Sequence, residues 1–376
     1  MVFGAGSRRA ALAAVLTAMT ISAPQVCAQP EFIPSTGMPA AAVTPDKTAF
    51  AGDAAMPGQG GKGRDLLAAA AAVPPAHSAA AAGKSGGTDI VPAAENRWQW
   101  SLDGGYRLDD IEWSFALPGI NPRSVLTWHD IKSVQLEFGL QRRFYRHLRV
   151  KGDIAYAAIF DGRNQDSDFD GDNRTLEFSR SNNTTDSGDL WGLSIGLAYD
   201  IALFGDRMFL SPGVGYAYDD QSLQISNGVQ TVPPLGPFQN LDSSYDASWY
   251  GPWAGMDIRF NSHGRSAPAP GFEALFGFEV HLADFDARAD WNLRPDLAHP
   301  QSFEQDADAT GWVLTAAASY LFNSRWGINL IGRYQHWETD PGTHRFFFSD
   351  QTTYAARLNE VTWESLALSL GVTCRF

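Results

Sequence analysis

The C-terminal stretch Leu366-Ala-Leu-Ser-Leu-Gly-Val-Thr-Cys-Arg-Phe376 alternates between apolar side chains and polar or small ones. Because successive side chains of a β-strand point to opposite faces, this period of two predicts a strand with one apolar face. A strand that crosses a bilayer needs about 9–11 residues, and this stretch has that length. It is therefore either a membrane-crossing strand or a soluble edge strand, and the rest of the chain decides between them.

Nine further segments repeat the alternation. Their apolar faces fall at 98–106, 134–140, 150–160, 191–201, 208–216, 254–260, 272–282, 312–320 and 326–334. Their opposite faces carry charges of both signs, and we expect these to point inward and pair: Asp103, Arg107, Glu137, Arg149, Lys151, Asp153, Asp200, Asp257, Arg259, Glu273, Glu279 and Arg333. A soluble β-sandwich does not explain ten apolar faces opposite charged ones. We predict an all-β fold over residues 97–376, an antiparallel transmembrane β-barrel of about ten strands.

The residues before the predicted barrel divide into two parts. Arg8 and Arg9, an apolar centre over 10–21 and small residues up to Ala28 predict a secretory signal peptide over 1–28. Residues 29–96 are rich in Ala, Pro and Gly and bury too little apolar surface to fold. We predict that they form a disordered periplasmic tail.

Composition narrows the class of partner. The formal net charge of −14 and the lack of a basic stripe argue against nucleic acid. Two cysteines, Cys27 and Cys374, do not make a disulfide framework. The expected partners are outer-membrane lipids and, through the terminal Phe376, the barrel-assembly machinery, since bacterial outer-membrane barrels commonly end on an aromatic residue.

The connections between the predicted strands alternate in length. Short turns are expected at 145–147, 204–207 and 323–325, with a longer one at 261–270. Long loops are expected at 162–187, 221–245, 286–308 and 338–358. Short turns on the periplasmic side and long loops outside the cell are typical of outer-membrane barrels.

One segment has the spacing of a calcium-binding loop. Asp166, Asp168 and Asp170 alternate, Gly171 permits a sharp turn, and Glu177 follows at the closing position. Alternate carboxylates can converge on a hard cation, so calcium is a possible ligand of this segment. The alternative is an acidic, solvated outer loop.

The same region resembles the omptins, outer-membrane proteases built as ten-stranded barrels. The resemblance lies in strand order, in Leu126-Thr-Trp128 and in loop placement. It implies that Asp166 and Asp168 match the first catalytic carboxylate pair. The second pair of omptins is Asp-x-His, whereas this chain reads Asp290-Trp-Asn292. An amide cannot take a proton from water, and His281 and His299 do not have the motif's spacing.

A second resemblance is more specific. Trp249-Tyr-Gly-Pro-Trp253, Ala289-Asp-Trp-Asn-Leu293 and Leu358-Asn-Glu-Val-Thr-Trp-Glu364 are similar to the Protochlamydia-type outer-membrane protein family. It spans roughly 97–376 and implies fold and location more than activity.

Three functions stay open from the sequence. The favoured hypothesis is a non-enzymatic barrel, porin-like or structural, with a narrow charged lumen, because ten strands lie close to the eight-stranded size that side chains can fill. The alternatives are an omptin-like protease or other hydrolase, and a binding or adhesion protein that acts through its outer loops.

Overall fold

The computed structural model describes residues 98–144, 147–205, 207–262 and 270–376. The predicted signal peptide at 1–28 and tail at 29–96 lie outside these residues and stay predictions. None of the described residues belongs to a helix long and apolar enough to cross a membrane.

The described residues form one antiparallel sheet of fourteen strands. In chain order the strands are β1 (Trp98–Leu117), β2 (Ile120–Phe144), β3 (Leu148–Gly171), β4 (Thr175–Thr184), β5 (Gly188–Tyr199), β6 (Ile201–Ala202), β7 (Met208–Val232), β8 (Gly236–Pro237), β9 (Asp242–Asn261), β10 (Gly271–Asp290), β11 (Phe303–Leu321), β12 (Trp326–Thr339), β13 (Gly342–Phe347) and β14 (Thr353–Arg375).

The sheet closes into a ring of about ten strand positions, as predicted. The segments β4, β5 and β6 share one position between β3 and β7, and β12 and β13 share another between β11 and β14. β1 pairs with β14 from Gln99 opposite Arg375 up to Ala116 opposite Arg357. Two backbone hydrogen bonds between Trp98 and Phe376, of 2.9 and 3.0 Å, complete the closure.

We call the end that holds Trp98 and Phe376 the lower end, and the opposite end the mouth. The prediction of four long loops at the mouth is wrong. Residues 162–187, 221–245 and 338–358 mostly continue the strands. In 286–308 about half of the predicted loop is present, as the segment 291–302 between β10 and β11, which is the longest connection at that end. The sequence analysis took these segments for loops because they are rich in polar residues. Above the membrane the outward-facing side chains of a strand are polar too, so composition does not distinguish such a strand from a loop.

The outer surface of the lower half carries an apolar belt. Leu366, Leu368 and Leu370 of β14 are 54–64% exposed, and the corresponding side chains of the other strands are exposed in the same way. Since apolar side chains rarely cover a contiguous surface in water, this belt is the part of the barrel that meets lipid.

The inward face changes character along the strands, and β-bulges shift the register in some of them, as between His129 and Ser133 of β2. In the lower half of β1 it presents Asp103 and Arg107, and towards the mouth it presents Ile111, Trp113 and Phe115. The hydrophobic core therefore lies inside the upper half of the barrel, above a charged lower lumen.

The belt makes a direct prediction. Leu370→Arg should lower the yield of folded, heat-modifiable barrel, because an arginine facing the bilayer midplane costs about 2–4 kcal/mol. Thr362→Arg is the control, since Thr362 lies on the same face above the belt, opposite Glu112 and Glu338. Equal refolding yields of both variants in lipid vesicles would contradict this assignment of the membrane surface.

Candidate functional site

The lower lumen holds ion pairs between strands that are not neighbours in the ring. Arg333 of β12 bonds Glu137 of β2 at 2.9 Å, and Lys151 of β3 bonds Glu279 of β10 at 2.7 Å. Further predicted inward residues also meet: Arg149 with Asp257 at 2.8 Å, Arg259 with Asp200, and Glu273 with Arg375. A cavity of about 230 Å³ remains between these pairs. The expected pairing of inward charges is thus confirmed for most of these residues.

Above this level an aromatic cluster fills the barrel. Trp249, Trp337 and Trp363 are at most 1% exposed, and Trp337 stacks on Trp363 with ring centroids 5.8 Å apart. The Trp363 indole donates to Asp109 at 2.9 Å, and Arg107 bonds the same carboxylate. Asp109 was not singled out from the sequence and Trp363 was named only within a motif of the family resemblance, because both lie just beyond the predicted strand segments, in the parts by which β1 and β14 are longer than expected.

A buried polar chain lies within the cluster. The Tyr245 hydroxyl donates to Gln305 at 2.8 Å, and the Gln305 amide donates to Nδ1 of His344 at 3.0 Å. Burial among aromatic rings lowers the pKa of His344 to about 3, so its imidazole is neutral and accepts this bond. These hydrogen bonds thus fix the orientation of polar side chains within the aromatic cluster, which we call the plug.

Asp166 and Asp168 face the interior at the mouth. They lie opposite the inward-facing Leu126 and Ser124 of β2, and the Ser124 hydroxyl is 3.5 Å from Asp166. Burial raises the pKa of Asp166, and the neighbouring Asp168 carboxylate raises it further. Burial also raises the pKa of Asp168. The structure therefore holds the first predicted pair together, as two carboxyls that resist losing both protons.

The segment 291–302 brings further groups over this pair. Its Trp291 indole lies close enough to Asp166, and its Arg294 guanidinium close enough to both carboxylates, to stabilise their charged form. Arg294 is itself held by two bonds to Asp296, of 2.9 and 2.8 Å. Trp291 and Arg294 were not predicted as site residues, because their approach depends on how a connection folds across the ring.

The second predicted pair is arranged differently. Asp290 follows the buried, inward-facing Ala287 and Ala289 at an outward position of β10. Asn292 is occupied structurally: its amide oxygen accepts from the Asp242 backbone at 3.0 Å and the Ser243 hydroxyl at 3.1 Å, and its amide nitrogen donates to Asn240. Asn292 thus fastens the connection to the start of β9 rather than facing Asp166.

His281 and His299 are the two histidines that could replace the general base missing at Asn292, and only His299 contacts Asp290. Its Nδ1 lies 2.5 Å from the Asp290 carboxylate, a contact that residue spacing could not reveal because a folded connection joins the two. His281 faces inward nine positions down β10, about 30 Å from Asp290 along the strand. The structure thus forms one carboxylate pair facing inward and one His–Asp pair on an outward-facing position.

The predicted calcium segment is a β-hairpin. Asp166 to Gly171 belong to β3, and Glu177 belongs to β4. Asp170 pairs with Arg123, and Glu177 is held by Arg180. In the described ranges no three acidic, histidine or cysteine side chains are grouped so that they can hold a metal ion. An extended strand spaces alternate carboxylates apart, so calcium binding by Asp166, Asp168, Asp170 and Glu177 stays a prediction that requires this hairpin to rearrange.

The closed ring, its apolar belt and its filled interior define an integral outer-membrane β-barrel. The family model described as "Pom: Protochlamydia outer membrane protein" matches residues 101–376. The chain belongs to this family. A search of curated proteins finds no match.

Among solved structures, the chain is similar to the outer membrane protease OmpT from Escherichia coli. The TM-score is 0.63 at 12% identity, over 76% of this chain and 98% of that one. The translocator domain of the autotransporter NalP from Neisseria meningitidis matches with a TM-score of 0.34, at 11% identity over 76% of this chain and 91% of that one. At these identities the first likeness shows the fold alone, and the second adds no argument.

The paired carboxyls at the mouth make stability depend on pH. An aspartate whose pKa is raised by folding stays protonated in the native state while the unfolded chain releases its proton. The contribution of this pair to the stability of the wild-type barrel should therefore fall as the pH rises above about 4. The Asp166→Asn variant should lose less free energy of unfolding than the wild type, because it has no carboxyl to ionise at this position. The difference at pH 9 should be on the order of 1 kcal/mol, since partial exposure of the pair screens the effect.

Urea unfolding of the refolded barrel at pH 4 and pH 9 measures this difference. Asp308→Asn is the control, because Asp308 is exposed on the outer face of β11. If the free energy of unfolding changed with pH in the same way for the wild type and Asp166→Asn, folding would not raise the pKa of Asp166, and the prediction would be wrong.

Proposed function

We propose that this protein is a non-enzymatic, essentially non-conducting outer-membrane barrel that acts as a structural or surface component. The observation that carries the proposal is the filled interior, with a charged lower layer braced by ion pairs and an aromatic layer above it. A porin with a water-filled channel has about 16–18 strands, whereas a ring of about ten leaves space that side chains fill.

A conductance measurement tests this proposal. In planar bilayers the current through the wild-type barrel should be far smaller than the current through a porin measured in the same apparatus. Trp337→Ala combined with Trp363→Ala removes two stacked rings from the plug and should raise the current. Trp326→Ala is the matched control, because Trp326 is 42% exposed outside the plug. A wild-type current equal to that of the porin would overturn the proposal.

A second candidate function is an omptin-like hydrolase, and two observations favour it. Asp166 and Asp168 form an inward carboxylate pair that could position water, and His299 bonded to Asp290 has the composition of a general-base dyad. Against it, Asp290 occupies an outward strand position, and Asn292 replaces the expected histidine. Loss of a correctly placed base typically removes a factor of about 10²–10⁴ in rate.

We therefore expect no appreciable cleavage of basic peptides by refolded wild-type barrel. Activity that disappears in both His299→Ala and Asp166→Asn would establish the hydrolase instead. His336→Ala is the control for histidine loss, because His336 also contacts a carboxylate, Glu364 at 3.3 Å, away from the mouth. We do not expect Asn292→His to create activity, since it breaks the three bonds of that amide.

A further inference from the structure

The cavity in the lower lumen has an uncompensated charge. Its wall carries four cationic side chains, Arg107, Arg149, Lys151 and Arg333, and five acidic ones, Glu137, Asp153, Asp219, Asp257 and Glu279. Each of the four cations already bonds a carboxylate between 2.7 and 2.9 Å away: Asp109, Asp257, Glu279 and Glu137, respectively.

Two carboxylates of the wall are left over. Neither Asp153 nor Asp219 forms an ion pair with a described residue, although both line the cavity. The basic side chains that attract Asp153 are Arg333 and Lys151, and those that attract Asp219 include Arg107 and Arg333. Each of these cations bonds another carboxylate directly. A half-buried carboxylate whose neighbouring cations are all bonded to other carboxylates is only partly compensated, so this arrangement favours a positively charged ligand.

The wall between the two carboxylates is built from small residues. Asp153 of β3 lies opposite Ser194 of β5, and Asp219 of β7 lies opposite Gly192 of the same strand. A Cβ atom at Gly192 would come within 3.1 Å of the Asp219 carboxylate, so the glycine keeps this carboxylate accessible from the cavity. The carboxylates thus flank a narrow floor, on strands about 9–10 Å apart.

A third group is directed at the same cavity. His281 is only 3% exposed and lines the cavity, and its Nδ1 has no hydrogen-bond partner among the described residues. Its Nε2 lies 3.5 Å from Glu279. A buried ring nitrogen without a partner indicates a site for a hydrogen-bonding ligand or water. The faces of Trp253 and Trp337 border this region, and Lys151 already lies 4.7 Å over the Trp253 ring.

We propose that this cavity binds a short linear aliphatic diamine, with one ammonium group on Asp153 and the other on Asp219. A single metal ion does not fit, because no three suitable ligands converge anywhere in the described part of the chain. A flexible chain with an ammonium at each end spans the two carboxylates, its methylenes lie along the floor formed by Gly192 and Ser194, and an N–H can reach Nδ1 of His281.

Calorimetric titration of the refolded full-length barrel with putrescine tests the site. We expect saturable binding of one molecule per barrel. Butylamine, which has the same carbon chain and one ammonium group, should bind at least about tenfold more weakly, because it lacks one charge-assisted bond. Magnesium chloride at matched ionic strength controls for screening.

The variants Asp153→Asn and Asp219→Asn should each weaken putrescine binding by at least about tenfold. Asp308→Asn, on the exposed outer face, should leave it unchanged. Heat modifiability confirms that each variant folds, and the comparison of putrescine with butylamine needs no variant.

Equal binding of butylamine or magnesium, or unchanged binding in both variants, would overturn the proposal. It would also fail if the wild type bound no putrescine. A thermal midpoint raised by Asp219→Asn would then indicate that the carboxylates hold protons instead of a ligand.

Discussion

The pairing of β1 with β14 is the constraint on which the rest of this structure depends. Backbone amides and carbonyls that face lipid have no water to bond, so an open sheet edge in the belt would leave a row of them unsatisfied. The register from Gln99–Arg375 to Ala116–Arg357 satisfies both edges at once. Once the ring is closed at this size, the inward side chains of all its strands share one narrow interior.

The two layers of the interior follow from this restriction. Inward charges at membrane depth are tolerated because most of them form ion pairs inside the ring, as Arg333 and Glu137 do, and because they point away from lipid. Above the belt the outer surface meets water, so the sheet there can become polar outside and apolar inside. The aromatic cluster around Trp249 is therefore arranged as the core of a soluble protein would be, inside the upper part of a membrane barrel.

The sequence predicted the ten-position ring and most lumen charges because both depend only on the alternation of side chains. It failed where the inward face changes chemistry: Trp113 and Phe115 belong to β1, yet the rule of an apolar outer face no longer applies there. Contacts of the 291–302 connection also escaped prediction. His299 contacts Asp290, and Asn292 bonds the start of β9. Both contacts depend on the path of this connection, which the spacing of residues in the sequence does not reveal.

Closure by the first and last strands has a consequence for the order of events in folding. The Arg375 guanidinium and the Gln99 side chain that it bonds are 276 positions apart in the chain. Contacts between such distant residues form slowly, because the entropy of joining the ends must be lost before any pairing energy is gained. The barrel therefore cannot be sealed progressively from its N-terminal side. Until its final residues arrive, the growing sheet keeps two reactive edges, and a delay at that stage exposes it to pairing with another chain.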